Sequence, residues 1–196
     1  MHSPATGDPV TLKVSPMGQI FDRFAFWTAD VLLLSSILAV FEIVLEKDRG
    51  WASALGEGVW GKKLFAGNPL VRWIADKPYV TTYHLTVFGA ILPIVLWTQY
   101  RIGAFLGFRS ALRSGHAIAD LLFLFSAFLA ICVTEDFLWF ALNWYYPSSL
   151  SDLLAGHIWW HTGYIPVGRS VQLPRCYISM GTIALLALAT SFALRM

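Results

Sequence analysis

The chain has 196 residues, of which 57% are hydrophobic and only 13% charged. Soluble domains carry about 25% charged residues. This composition, with a mean hydropathy of +0.60, excludes an ordinary soluble globular protein. The net charge of +2 and the lack of a long basic run argue against nucleic acid as a partner.

In chain order, residues 1–23 read as a polar N-terminal tail containing Pro4, Pro9 and Pro16. The tail lacks the basic start, short apolar core and small-residue cleavage site of a secretory signal. The first apolar stretch is therefore expected to act as an uncleaved anchor. Four stretches, at about 24–45, 80–100, 117–142 and 177–194, approach the roughly 20 residues needed to cross a hydrocarbon layer. The predicted fold is an all-α integral membrane protein. Four transmembrane helices form a bundle, with short interfacial helices on one side. Residues 24–196 form a single domain in this reading.

Four spans put both termini on one side, side A, with the 101–116 loop. That loop carries Arg101, Arg109 and Arg113 and no acid, which places the termini in the cytoplasm. Side B holds the 46–79 and 143–176 segments. In the first, Asn68-Pro69 is a helix start, a capping residue followed by proline at the first helical position. A short helix over 70–76 then stops before Pro78. Trp51, Trp60 and Trp73 fit an interfacial segment. In the second, Ser149 and Asp152 fit a capping box. A helix over 150–161 follows and ends at Gly163. His157 and His161 share its stripe with Leu150, Leu153, Leu154 and Ile158.

The chemistry-bearing residues gather toward side B. His157 and His161, four apart, present their imidazoles on one helix face and can reach one metal ion. The glutamate that follows the first histidine in zinc proteases is absent, since Ile158 stands there. Glu42 extends a stripe of small and polar residues, Ser35 and Ala39, and is predicted to turn inward. Glu46 is expected to reach water beside Lys47. His84 lies in the first turns of the second span, upstream of Pro93, whose missing amide bends a helix. Glu135 points inward from the third span, with Asp136 beside it. Near side A, His116 and Asp120 suggest a structural hydrogen bond. Cys132 and Cys176 read as packing thiols at different depths, which excludes a disulfide.

The expected metal set is His84, His157, His161, Glu42 and Glu135, with Asp136 and Glu46 as further ligands. Glu135 and Asp136 are the candidate catalytic acid and base. Imidazoles and carboxylates suit zinc or iron, and the lack of clustered thiolates speaks against a Cys-rich zinc site. The expected function is a small membrane metalloenzyme near the interface, hydrolysing or oxidising a hydrophobic or amphiphilic substrate, with membrane lipid around it. The alternatives are an electron-transfer subunit holding haem b or quinone, and a non-enzymatic subunit with partners in a larger membrane complex. Membrane hydroxylases and desaturases carry several histidine boxes, and the single HxxxH here falls short of that pattern.

Overall fold

The computed structural model describes residues 15–56, 58–69, 71–72, 76–105 and 117–196. It is mostly helical with few strands. Helix α1 runs Pro16–Glu46. Ser15 caps it, its Oγ accepting from the Gly18 amide at 3.2 Å, and Pro16 fills the first turn. The helix begins well before the expected span. Helix α4 (Ala117–Leu142) and helix α6 (Arg175–Ala193) are the other two long helices. These three are long and apolar enough to cross a membrane. Their exposed faces are apolar, with Leu32, Leu33, Phe41, Leu121, Leu185 and Leu186 among the outward residues. Together these features mark a membrane protein.

Between α1 and α4 the chain forms a helical segment in three pieces: α2 (Thr82–Thr86), a π-helical turn (Val87–Ile91) and α3 (Leu92–Phe105). Pro93 explains the break. It has no amide proton, and its ring clashes with the carbonyl four residues earlier, that of Gly89. A wide π turn immediately upstream absorbs both effects.

Helix α4 packs between α1 and α6. The contacts use small and polar residues, which let membrane helices approach closely. Ser35 Oγ donates to the Ile131 carbonyl at 3.3 Å, and Trp27 Nε1 donates to Ser126 Oγ at 2.7 Å. On the other flank, Ser191 Oγ donates to the Ala119 carbonyl at 2.8 Å, beside buried Ala184 and Ala187. Leu92 and Leu96 of α3 join Val31, Ala127 and Ile131 in a core. Near side A, Asp120 pairs with Arg195. The expected His116–Asp120 contact involves His116, which lies outside the described residues.

Side B is capped by the two long connections. Strands β1 (Lys63–Leu64) and β2 (Val80–Thr81) pair antiparallel, as do β3 (Tyr164–Pro166) and β4 (Gln172–Pro174). The periodicity did not point to these hairpins. Pro69, Val71 and Arg72 are helical, and Asn68 Oδ1 accepts from the Val71 amide at 3.4 Å, as the Asn-Pro start implies. Helix α5 (Ser149–Ala155) is shorter than expected. Gly156, left-handed at φ 78°, ends it before either histidine. The expected box at Ser149 is also displaced. Ser149 Oγ is buried on the Phe140 carbonyl at 2.7 Å, and Asp152 is held by Ser148 and Tyr146 instead.

The cap closes on Trp160. Its indole stacks on Phe140 at 5.7 Å, meets Trp139 edge-on at 5.8 Å and covers Gly50. Gly50 has φ +58°, and a Cβ there falls 2.3 Å from the indole. Gly50→Ala should therefore destabilise the protein by about 1–3 kcal/mol. Gly168→Ala, which meets open space, should change stability by less than about 0.5 kcal/mol. Thermal unfolding of both variants in the same detergent is the measurement, and equal melting temperatures would contradict the packing described.

Candidate metal and ligand site

The last turn of α1 presents Glu42 and Glu46 four residues apart on its inward face, and both are buried. Glu46 does not reach water. It is 1% exposed and accepts a short hydrogen bond from the Ala52 amide. The turn over residues 47–52 folds back over the helix end, with Lys47 and Ala52 at positive φ, and so covers the carboxylate.

His84 comes from the short helix α2. Thr81 caps that helix and its hydroxyl also meets His84 Nδ1 at 2.6 Å. The Trp51 indole stacks on the imidazole at 3.9 Å, fixing the ring. With the proton on Nδ1 and donated to Thr81, Nε2 presents its lone pair. Nε2 is buried and has no hydrogen-bond partner among the described residues. One ligand atom each from Glu42, Glu46 and His84 lie within 4.8 Å of one another.

Glu135 stands beside this trio. Glu42 lies against both Tyr83 and Glu135, yet Glu42 Oε1 and Glu135 Oε1 have no aligned hydrogen-bond partner among the described residues. None of the three glutamates lies within ion-pair distance of a described lysine or arginine. Such buried, unbalanced carboxylates are costly unless a proton or cation joins them.

A second cluster adjoins the first and is electrically balanced. Lys77 Nζ lies 3.3 Å from Asp136, 3.3 Å from both ring nitrogens of His161, and 4.5 Å over the Trp51 ring. Tyr177 donates to Asp136 at 2.6 Å. Asp76 accepts from Thr162 at 2.6 Å and pairs with Arg175 at 3.1 Å. Asp76, His161 and Cys176 also satisfy metal-ligand spacing. Here, though, each acid already has a cation, and Lys77 occupies the imidazole.

The expected set thus divides. Glu42, Glu46, His84 and Glu135 come together. His161 joins the Lys77–Asp136 network. His157 is exposed and belongs to neither group; with the helix ended at Ala155, the two histidines share no helical face. A thiol, Cys176, does approach the second group, 3.9 Å from His161 Nδ1. Asp76, Lys77, Thr81, Tyr83 and Tyr177 escaped the sequence reading. Only the Asp76-Lys77 pair before Pro78 offered a signal, as adjacent opposite charges in an aromatic-rich segment.

Both clusters border a cavity of about 270 Å³. Glu42, His84, Glu135, Asp136 and Lys77 lie at its polar end. Leu85, Phe88, Phe128, Val133 and Met180 form apolar walls. No protein-family pattern, curated protein or solved structure matches the chain.

Two outcomes are expected. Asp136→Asn leaves the buried Lys77 ammonium without its carboxylate, costing on the order of 3 kcal/mol; denaturant or thermal unfolding in detergent reads this. Burial first, and then the Lys77 ammonium, hold His161 below its ordinary value of 6.5. The unfolded chain therefore binds that proton more readily. The His161 contribution is fully present above the unfolded value and is lost as pH falls toward the lower folded one. Melting temperature should drop as pH falls below the ordinary histidine value of 6.5, and His161→Gln should flatten that slope.

Proposed function

We propose that the protein is a small integral-membrane metalloenzyme. In this reading the broken segment Thr82–Phe105 is a fourth crossing, the four helices form one bundle domain, and both termini face the cytoplasm. The observation that carries the proposal is the trio of Glu42, Glu46 and His84. Its ligand atoms lie within 4.8 Å of one another, His84 Nε2 is buried without a partner, and Glu42 and His84 line the cavity.

One imidazole and two carboxylates suit zinc, iron or manganese. Such an ion would supply an activated water or an open coordination position for hydrolysis or oxidation. Thr81 would orient His84 from behind, as the partners of metal-binding histidines commonly do. Glu135, at the edge of the trio, is placed to accept or return a proton. Asp136 is held by Lys77, His161 and Tyr177 and would act by positioning. The apolar walls fit a hydrophobic or amphiphilic substrate.

The aromatic lining, Trp51 against His84 and Phe88 beyond it, also favours haem b or a quinone as an alternative occupant. Elemental analysis and an optical spectrum of purified protein separate the two. The expected result is one divalent ion per chain and no Soret band. His84→Ala and Glu42→Gln should each weaken metal binding by at least about tenfold, and His157→Ala should leave it unchanged. Full metal content in both of the first two variants would refute the site.

A further inference from the structure

The cavity is lined by two thiols, Cys132 and Cys176, and the metal reading uses neither. They differ in what stands beside them. Cys132 lies midway along α4. Cys176 is buried in the first turn of α6, with Sγ 3.9 Å from His161 Nδ1. Among the described residues it is the sulfur in hydrogen-bond contact with a histidine.

The far side of that imidazole is engaged as well. His161 Nε2 lies 3.3 Å from Asp136 Oδ2, and Tyr177 donates to the same oxygen at 2.6 Å. A proton on Nε2 is held by the carboxylate, which leaves the Nδ1 lone pair toward sulfur. Lys77 Nζ does not take that lone pair. It lies 3.3 Å from both ring nitrogens, and a point equidistant from the two is on the axis of neither lone pair. Cys176, His161 and Asp136 therefore stand in the order nucleophile, base and orienting acid.

The cavity sets what the thiol can meet. Met180 lies one helical turn beyond Cys176 on the same face, and both line the cavity with Leu85, Phe88 and Val133. A chain bonded to Sγ and running along that face stays against apolar side chains. Lys77 lines the polar end and supplies positive charge for an oxyanion formed there. The fitting electrophile is an acyl carbonyl on a long apolar chain. A thioester suits it best, because one thiolate then replaces another and no poorer leaving group has to be expelled.

We propose that Cys176 accepts the acyl group of a long-chain acyl thioester, with His161 as its base and Asp136 as a positioning residue. The Cys176 proton moves to His161 Nδ1 as sulfur attacks the carbonyl carbon. A new C–S bond forms, the C–S bond to the leaving thiol breaks, and His161 returns the proton to that thiol. The step uses no metal, so it does not rest on the metalloenzyme reading.

The test incubates the full chain in phosphatidylcholine nanodiscs with alkyne-tagged palmitoyl-coenzyme A, with and without a chelator. One acyl group per chain is expected, on Cys176 by mass spectrometry, released by neutral hydroxylamine and indifferent to chelation. Cys176→Ala should remove the label and Cys132→Ala should keep it. His161→Gln should slow labelling about a hundredfold or more. Met180→Trp should slow transfer from the palmitoyl donor but not from acetyl-coenzyme A, whereas Ile178→Trp, on the exposed face of α6, should slow neither. Should His161→Gln fail to fold, the cysteine pair and the two tryptophan variants decide. Equal label on both thiols, label no faster than in the detergent-unfolded chain, a wild-type rate in folded His161→Gln, equal palmitoyl transfer in Met180→Trp and Ile178→Trp, or loss of label on chelation overturns the proposal. Metal uptake without labelling refutes this proposal alone; labelling of a chain that takes up no metal refutes the metalloenzyme reading alone.

Discussion

Carboxylates out of water set the terms for the side-B half of this protein. Glu42, Glu46 and Glu135, with the partly buried Asp136, leave the ends of two neighbouring helices and are withdrawn beneath a cap. Each desolvated charge costs several kcal/mol unless something answers it. For Asp136 the answer is Lys77, Tyr177 and His161. For Glu46 it is the Ala52 amide, delivered by a backbone bent through positive φ. Glu42 and Glu135 lie against each other and Tyr83, with no ion-pair partner among the described residues, and that inequality separates a structural ion network from a site able to take a cation.

The cavity follows from how unequally the helices pack. Ser35, Ala39, Ala184, Ala187 and Ser191 allow α1 and α6 to press closely on α4. The segment with Pro93 cannot approach as a regular helix. Its π turn shifts His84 and Phe88 relative to α3 and leaves space toward α6. One proline thus positions a histidine and opens the room beside it.

Membrane character, and the inward faces of α1 and α4, were legible because they rest on local regularities. Length and apolarity mark the long helices, and small-residue periodicity marks Ser35, Ala39, Glu42 and Glu135 as buried. The site was legible only in part. His84 and Glu42 carry signals of depth and spacing, but Glu46 read as a solvent group because Lys47 follows it. Its burial depends on residues 47–52 folding back, a tertiary event without a periodic trace. The HxxxH misled for a related reason. Helical spacing was projected through Gly156, a residue that readily stops a helix in the left-handed conformation. Lys77 and Asp136, 59 positions apart, meet because the first side-B connection folds onto the end of α4, which no local pattern encodes.

The indole of Trp160 lying over Gly50 has a consequence for the order of assembly. The two residues are separated by more than half of the chain, so their contact closes a long loop and belongs to the late stage of folding. During synthesis α1 is complete long before residue 160 exists. Until then Gly50, in the turn that follows the terminal glutamates, lacks the indole that packs over it. Glu42 and Glu46 begin as ordinary hydrated side chains at a helix end, and the turn over residues 47–52 that covers Glu46 receives its own cover only when the second side-B connection brings Trp160 over Gly50. The protein can thus place acids beneath its surface without carrying bare charges into the membrane.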